Sequence, residues 1–210
     1  GINAYGTAAA GGNNVAIGDA SLGGALVTGA DNVAIGRGTG YLVLGGACNV
    51  VIGKEAMSKS TIGALNIVIG KDAVNGVTTG AFTQNIAIGD CAMQGSASTV
   101  ATNNVAIGSY TMLCMTTANC NVAMGNNALA CITTGDKNIA IGELTMGRGV
   151  LTGSNNIALG TTSADALTSG ACNIAMGLNA LGAATDNMRN IAIGEGAMAT
   201  SIDSGSYSVA

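Results

Sequence analysis

The alternation of apolar and polar positions along this chain has no 3.6-residue helical period. A five-residue pattern recurs instead, in which a polar residue precedes an apolar, a small and a second apolar residue, closed by glycine. In residues it is Asn-[Val/Ile]-[Ala/Val]-[Ile/Met/Leu]-Gly, and it occurs eleven times, beginning at Asn14, Asn32, Asn49, Asn66, Asn85, Asn104, Asn121, Asn138, Asn156, Asn173 and Asn190. The closing glycines are Gly18, Gly36, Gly53, Gly70, Gly89, Gly108, Gly125, Gly142, Gly160, Gly177 and Gly194, so successive copies lie 17 to 19 residues apart. Each apolar run is too short for a helix and reads as a short strand followed by a turn. After the glycine the pattern usually continues x-x-[Ala/Ser/Thr]-[Leu/Met/Val], as in Lys54-Glu55-Ala56-Met57, and then a Thr- and Gly-rich connector absorbs the variation in length.

One such unit cannot bury its own apolar edge, but units stacked along an axis form a continuous core and pair each strand with those above and below. The predicted fold is therefore all-β, a parallel β-solenoid of about 11 to 12 coils running through residues 1–210 as a single array. With zero prolines the chain suits strands bonded on both sides, where a residue without an N–H is not tolerated. Val15 and Ile17, and their equivalents such as Ile86 and Ile88, lie two apart and share a face, which we read as the inward one. The residue between them is Ala in nine coils and Val in two, Val51 and Val68, which we read as an outer face meeting another surface closely. The asparagine column is read as structural, an amide ladder about 4.8 Å per step that holds register. The glycine column is read as a turn of positive φ or a close backbone approach. The position after it carries Asp19, Arg37, Lys54, Lys71, Asp90, Glu143 and Glu195 and is read as a solvated corner.

At Asn13-Asn14-Val15-Ala16-Ile17-Gly18, Asn103-Asn104-Val105-Ala106-Ile107-Gly108 and Asn155-Asn156-Ile157-Ala158-Leu159-Gly160 the chain resembles the head repeats of YadA-like trimeric autotransporter adhesins. It is equally similar to the repeats of phage-type tail-fibre proteins. The resemblance covers nearly the whole chain. It implies a left-handed parallel β-roll, three copies packed about a common axis with the Ala column near the inter-chain face, and a position on a cell or virion surface. On that reading Ala106→Asp or Ala140→Asp would dissociate or unfold the assembly. The chain departs from the pattern in its longer connector and in frequent loss of the first Asn, replaced by Cys48, Leu65, Gln84, Cys120, Lys137, Cys172 and Arg189.

Composition narrows the function. Gly (34) and Ala (36) fill a third of the 210 positions, while one Phe, four Tyr and no Trp leave a conventional aromatic core without material. The absence of His removes the commonest general base and metal ligand, so no catalytic, cofactor-binding or metal residue is assigned and the chain is read as non-enzymatic. Hexapeptide motifs such as Ile17-Gly18-x-x-Ser21 also suit left-handed β-helix acyltransferases, whose reliance on His this chain does not meet. Glu55 and Asp72 share a column in adjacent coils, but Lys54 and Lys71 beside them favour charge compensation over Ca²⁺. The seven Lys and Arg stand singly, which gives neither a nucleic acid nor an anionic membrane a footprint, and no apolar stretch is long enough to span a bilayer.

Of six cysteines, Cys114 and Cys131 each fall ten residues after their motif asparagine in neighbouring coils and are the one intrachain pair that can bridge. The competing reading has the thiols as small buried fillers of Ala-like positions. Nine methionines, among them Met57, Met93, Met124, Met176 and Met198, are read as core filler. Thr39, Thr111, Thr145 and Thr161 suggest a water-ordering face only weakly, being unpaired as Thr-x-Thr. Two other readings are a homopolymeric extracellular filament stacking through its coil ends, where Ser208-Val209-Ala210 opens a further motif, and a monomeric solenoid enzyme or binder. Partners are thus further copies of the chain and a surface receptor or glycan, bound by variable connectors such as Gly23 to Ala30 or Gln94 to Thr102.

Overall fold

The computed structural model describes residues 1–6, 11–24, 26–43, 45–95, 99–200 and 207–210. It is an all-β parallel solenoid of about ten turns, with no helix among the described residues. In chain order the strands are β1 (Val15–Ile17), β2 (Val33–Ile35), β3 (Val50–Ile52), β4 (Ile67–Ile69), β5 (Phe82–Thr83), β6 (Ile86–Ile88), β7 (Ala101–Thr102), β8 (Val105–Ile107), β9 (Val122–Met124), β10 (Ile139–Ile141), β11 (Ile157–Leu159), β12 (Ile174–Met176) and β13 (Ile191–Ile193). All but β5 and β7 form one eleven-stranded sheet whose neighbours are successive coils, while β5 and β7 pair separately. Every pairing is parallel and equates the same motif positions, as in Val105↔Val122, Ala106↔Ala123 and Ile107↔Met124. Ten steps of about 4.8 Å give a sheet roughly 48 Å long.

The sheet faces are the reverse of the expectation. The central Ala or Val of each strand points into the coil and is buried at ten of the eleven positions, from Ala34 to Ala192, with Ala16 partly buried against the core. The flanking Val, Ile, Leu and Met point out, and none of them is buried. The reason is volume. Across the narrow coil stand two columns of large side chains. One lies four residues after the turn glycine (Leu22, Met57, Val74, Met93, Met112, Leu129, Met146, Leu181). The other lies in the connector (Val27, Val43, Val77, Met115, Ile132, Leu151, Leu167). Opposite two such columns the strand has room for little more than a methyl group, so the demand for small residues comes from inside the coil and not from a neighbouring chain. Met57 and Met93 are core filler, whereas Met124 and Met176 belong to the outward set and are exposed.

Gly18 to Gly194 adopt φ of +126° to +142°. A Cβ there also has no room: at Gly125 it would lie 2.5 Å from the Gly142 carbonyl oxygen of the next coil. Both the conformation and the stacking distance require glycine. The residue before each ladder asparagine is left-handed too, with φ of 57° to 62° from Asn13 to Arg189. Asn tolerates that backbone better than most residues, which is the physical reason for the Asn-Asn form of the motif where it occurs.

Candidate functional site: an aliphatic face and its asparagine ladder

The eleven asparagines form a continuous ladder. The side-chain oxygen of each accepts the backbone N–H of the next asparagine at 2.8 to 3.0 Å, over ten successive steps from Asn14–Asn32 to Asn173–Asn190. Its amide nitrogen donates at 2.7 to 2.9 Å to the carbonyl three residues before that next asparagine, for example Ala118 for Asn104 and Gly135 for Asn121. Amide-to-amide bonds run alongside on several steps, as from Asn49 to Asn32 at 3.0 Å. Ser208 takes the twelfth position, its N–H donating to Asn190 Oδ1 at 2.9 Å. Each amide therefore satisfies one main-chain donor and one main-chain acceptor at the corner where the connector enters the strand, and both are buried polar groups that need partners.

With its edge held by this ladder, the sheet presents a face of two columns. One runs from Val15 to Ile191 and the other from Ile17 to Ile193, and all twenty-two positions, two on each of eleven strands, are Val, Ile, Leu or Met. Seven of them are exposed (Val15, Ile17, Ile67, Met124, Ile141, Met176 and Ile193) and the rest are half-buried against the coils above and below. One border is the exposed column Asn13, Asp31, Cys48, Leu65, Gln84, Asn103, Cys120, Lys137, Asn155, Cys172 and Arg189, and the other is the turn glycines and the mainly exposed charged column beyond them. An aliphatic strip with largely polar borders, interrupted by Leu65 and Leu178, has the anatomy of a protein interface. Sequence pattern had placed this strip inside the molecule.

The remaining candidates fall elsewhere. Thr39, Thr111 and Thr145 are buried, and their hydroxyls donate to turn-glycine carbonyls such as Gly53 and Gly160, so they face no water; Thr161 lies in a different column. At the charged corner Glu55 lies 3.4 Å from Arg37 and 3.8 Å from Lys54, while Lys71 lies 3.1 Å from Asp72 and 3.9 Å from Asp90. Hydrogen bonding to Asp72 and the charge of Asp90 hold the Lys71 ammonium above its ordinary range. Asp72, Asp90 and Cys91 are close enough to share a cation, but Lys71 already occupies that charge. The Cys91 thiol is pushed up by burial first and then by Asp90. A shallow groove of about 310 Å³ lies at the same corner, lined in part by Asp19, Arg37, Tyr41 and Glu55.

The cysteines are not core filler: Cys48, Cys114, Cys120 and Cys172 are exposed, Cys91 and Cys131 are half-buried, and all six are free thiols. Two buried polar groups lack any pattern that could have announced them. Ser60 stands in the connector core column among valines, and Asn187 stands where most coils have Gly or Ala, and neither side chain has a hydrogen-bond partner. The connector segments around Gly23 to Ala30 and Gln94 to Thr102 lie partly outside the described residues. No helix among the described residues is long and apolar enough to cross a membrane. Comparison with protein-family models, with curated proteins and with solved structures returns no match.

Proposed function

We propose that the chain is a non-enzymatic structural segment of a surface fibre, built of further copies of itself that associate through the aliphatic strand face, and that it extends and displays a recognition surface outside a cell or virion. The observation that carries this reading is the composition of the face, twenty-two outward positions without one polar residue. Packing between coils half-buries most of these side chains, but the core is filled from the other side of the strand, so the interior of the coil does not account for a strip that is apolar at every position. The occupant is read as another copy because the strip repeats every strand at about 4.8 Å, and a surface with the same rise meets every row. The resemblance to trimeric heads and tail fibres sets the expected number at three.

A strip about 48 Å by 10 Å offers on the order of 500 Å² of aliphatic surface, or about 12 kcal/mol of gross burial per face. Association itself costs about 4 to 15 kcal/mol, so the assembly is sensitive to one charge at its centre. Ile141→Lys and Ile107→Lys are solvent-side changes in the single chain and leave its β circular dichroism intact. Sedimentation with electron microscopy is expected to give a discrete species of three chains for the natural sequence and a folded monomer for either variant. A monomeric natural chain, or variants of unchanged mass, would overturn the reading. Open-ended filaments would replace it with end-to-end stacking of coils.

A further inference from the structure

Cys114 and Cys131 sit six residues after Gly108 and Gly125, on a flank away from the aliphatic face. Their register follows from the main chain. Cys114 N–H donates to the Ala130 carbonyl at 2.9 Å and, two residues earlier, Met112 N–H donates to the Ala128 carbonyl at 3.1 Å. In a parallel pairing that places Cys114 directly opposite Cys131, with Cα atoms about 4.8 Å apart. The separation lies inside the range that a disulfide spans, about 4.4 to 6.8 Å. Burial first, and then the neighbouring Cys131 thiol, push the Cys114 thiol above its ordinary range, in keeping with two side chains that stand side by side. Cys114 is exposed and Cys131 half-buried, which leaves an oxidant access. Cys48, Cys120 and Cys172 share a column but are separated by three or more coils, and no such opposition exists for them.

We propose that Cys114 and Cys131 are a paired oxidation site, closed by a small-molecule disulfide into a staple between two consecutive coils. The thiolate of one cysteine attacks a sulfur of the oxidant and expels one thiol. The second cysteine then displaces the other, so that two protein thiols and one disulfide RSSR become one protein disulfide and two RSH. The two electrons and two protons leave with the RSH molecules. The staple closes a 17-residue loop and restricts the unfolded chain most, so the unfolding equilibrium constant falls on the order of a hundredfold. The site lies off the aliphatic strip, and its chemistry is the same in a single chain and in an assembly.

The test uses the folded protein equilibrated with glutathione disulfide and then alkylated. Cyanogen bromide cuts after Met112, Met115, Met124 and Met146, leaving Cys114 on fragment 113–115, Cys120 on 116–124 and Cys131 on 125–146. The expected product is fragment 113–115 joined to 125–146, with alkylated Cys120. Cys114→Ser and Cys131→Ser each abolish the link, and the oxidised natural chain unfolds at higher denaturant than either variant. Stable mixed disulfides with glutathione on both cysteines, or crosslinks through Cys48, Cys120 or Cys172 in place of this pair, would overturn the proposal. So would a Cys114–Cys131 link that forms only after denaturation.

Discussion

The asparagine ladder makes a quantitative claim that one substitution tests. Asn104 lies at the sixth of eleven positions and is fully buried. Its Oδ1 accepts the N–H of Asn121 at 2.9 Å, and its Nδ2 donates to the Ala118 carbonyl at 2.9 Å. Truncation by Asn104→Ala leaves both main-chain groups without these partners in the buried interior of the corner. An orphaned buried donor or acceptor costs about 1 to 3 kcal/mol, so two cost about 2 to 6 kcal/mol, a large share of the 5 to 15 kcal/mol that holds a typical chain folded. Because coils contact only their neighbours, the lesion also weakens coupling between the two halves of the array. Denaturant unfolding followed by circular dichroism is expected to show a midpoint lowered accordingly, with a broadened or split transition. Native-state hydrogen exchange at the Asn121 amide is expected to lose protection ahead of the other ladder amides. A loss under about 1 kcal/mol, with Asn121 still protected, would refute the reasoning and mean that register is held by the strand ladder alone.

Other outcomes follow from the same geometry. Gly125→Ala sets a Cβ 2.5 Å from the Gly142 carbonyl oxygen at a φ of +128°, and is expected to cost several kcal/mol in thermal or denaturant unfolding, at least the 1 to 3 kcal/mol of such a backbone conformation alone. Asn187→Ala removes a buried amide with no partner, and is expected to stabilise by about 1 to 3 kcal/mol; an unchanged or lower midpoint would count against the placement of that side chain. Burial raises the Asp165 carboxyl above its ordinary range despite Arg148 at 3.1 Å. The folded chain therefore holds this proton more tightly than the unfolded one, and the contribution of Asp165 is most favourable below the unfolded carboxylate pKa and declines as pH rises to the folded one. Asp165→Asn lacks that slope, so its stability relative to the natural chain is expected to improve from pH 3 to pH 7, as read by denaturant midpoints across the range.

The repeat by itself determined much of this protein. Eleven copies at 17 to 19 residues leave stacking as the way each unit can bury its edge, and stacking equal units imposes parallel pairing in motif register. The columns of Asn and Gly were equally legible, because a residue kept at one position through every coil answers a demand that the stack itself makes. What the sequence did not decide is which side of the strand faces the core. In Val-Ala-Ile both alternating faces are apolar, so a period of two divides them without ranking them, and the larger residues look like the core. The choice was made by the opposite wall, where Met57, Met93 and Leu129 and the connector column of Val77, Met115 and Ile132 are buried in one core and leave the strand room for a methyl group, or at two coils for Val51 and Val68. Side chains from separate stretches of a coil compete for one narrow interior, and that volume exists only once the coil has closed. The same closure put Cys114 opposite Cys131 and sent the large aliphatic residues outward.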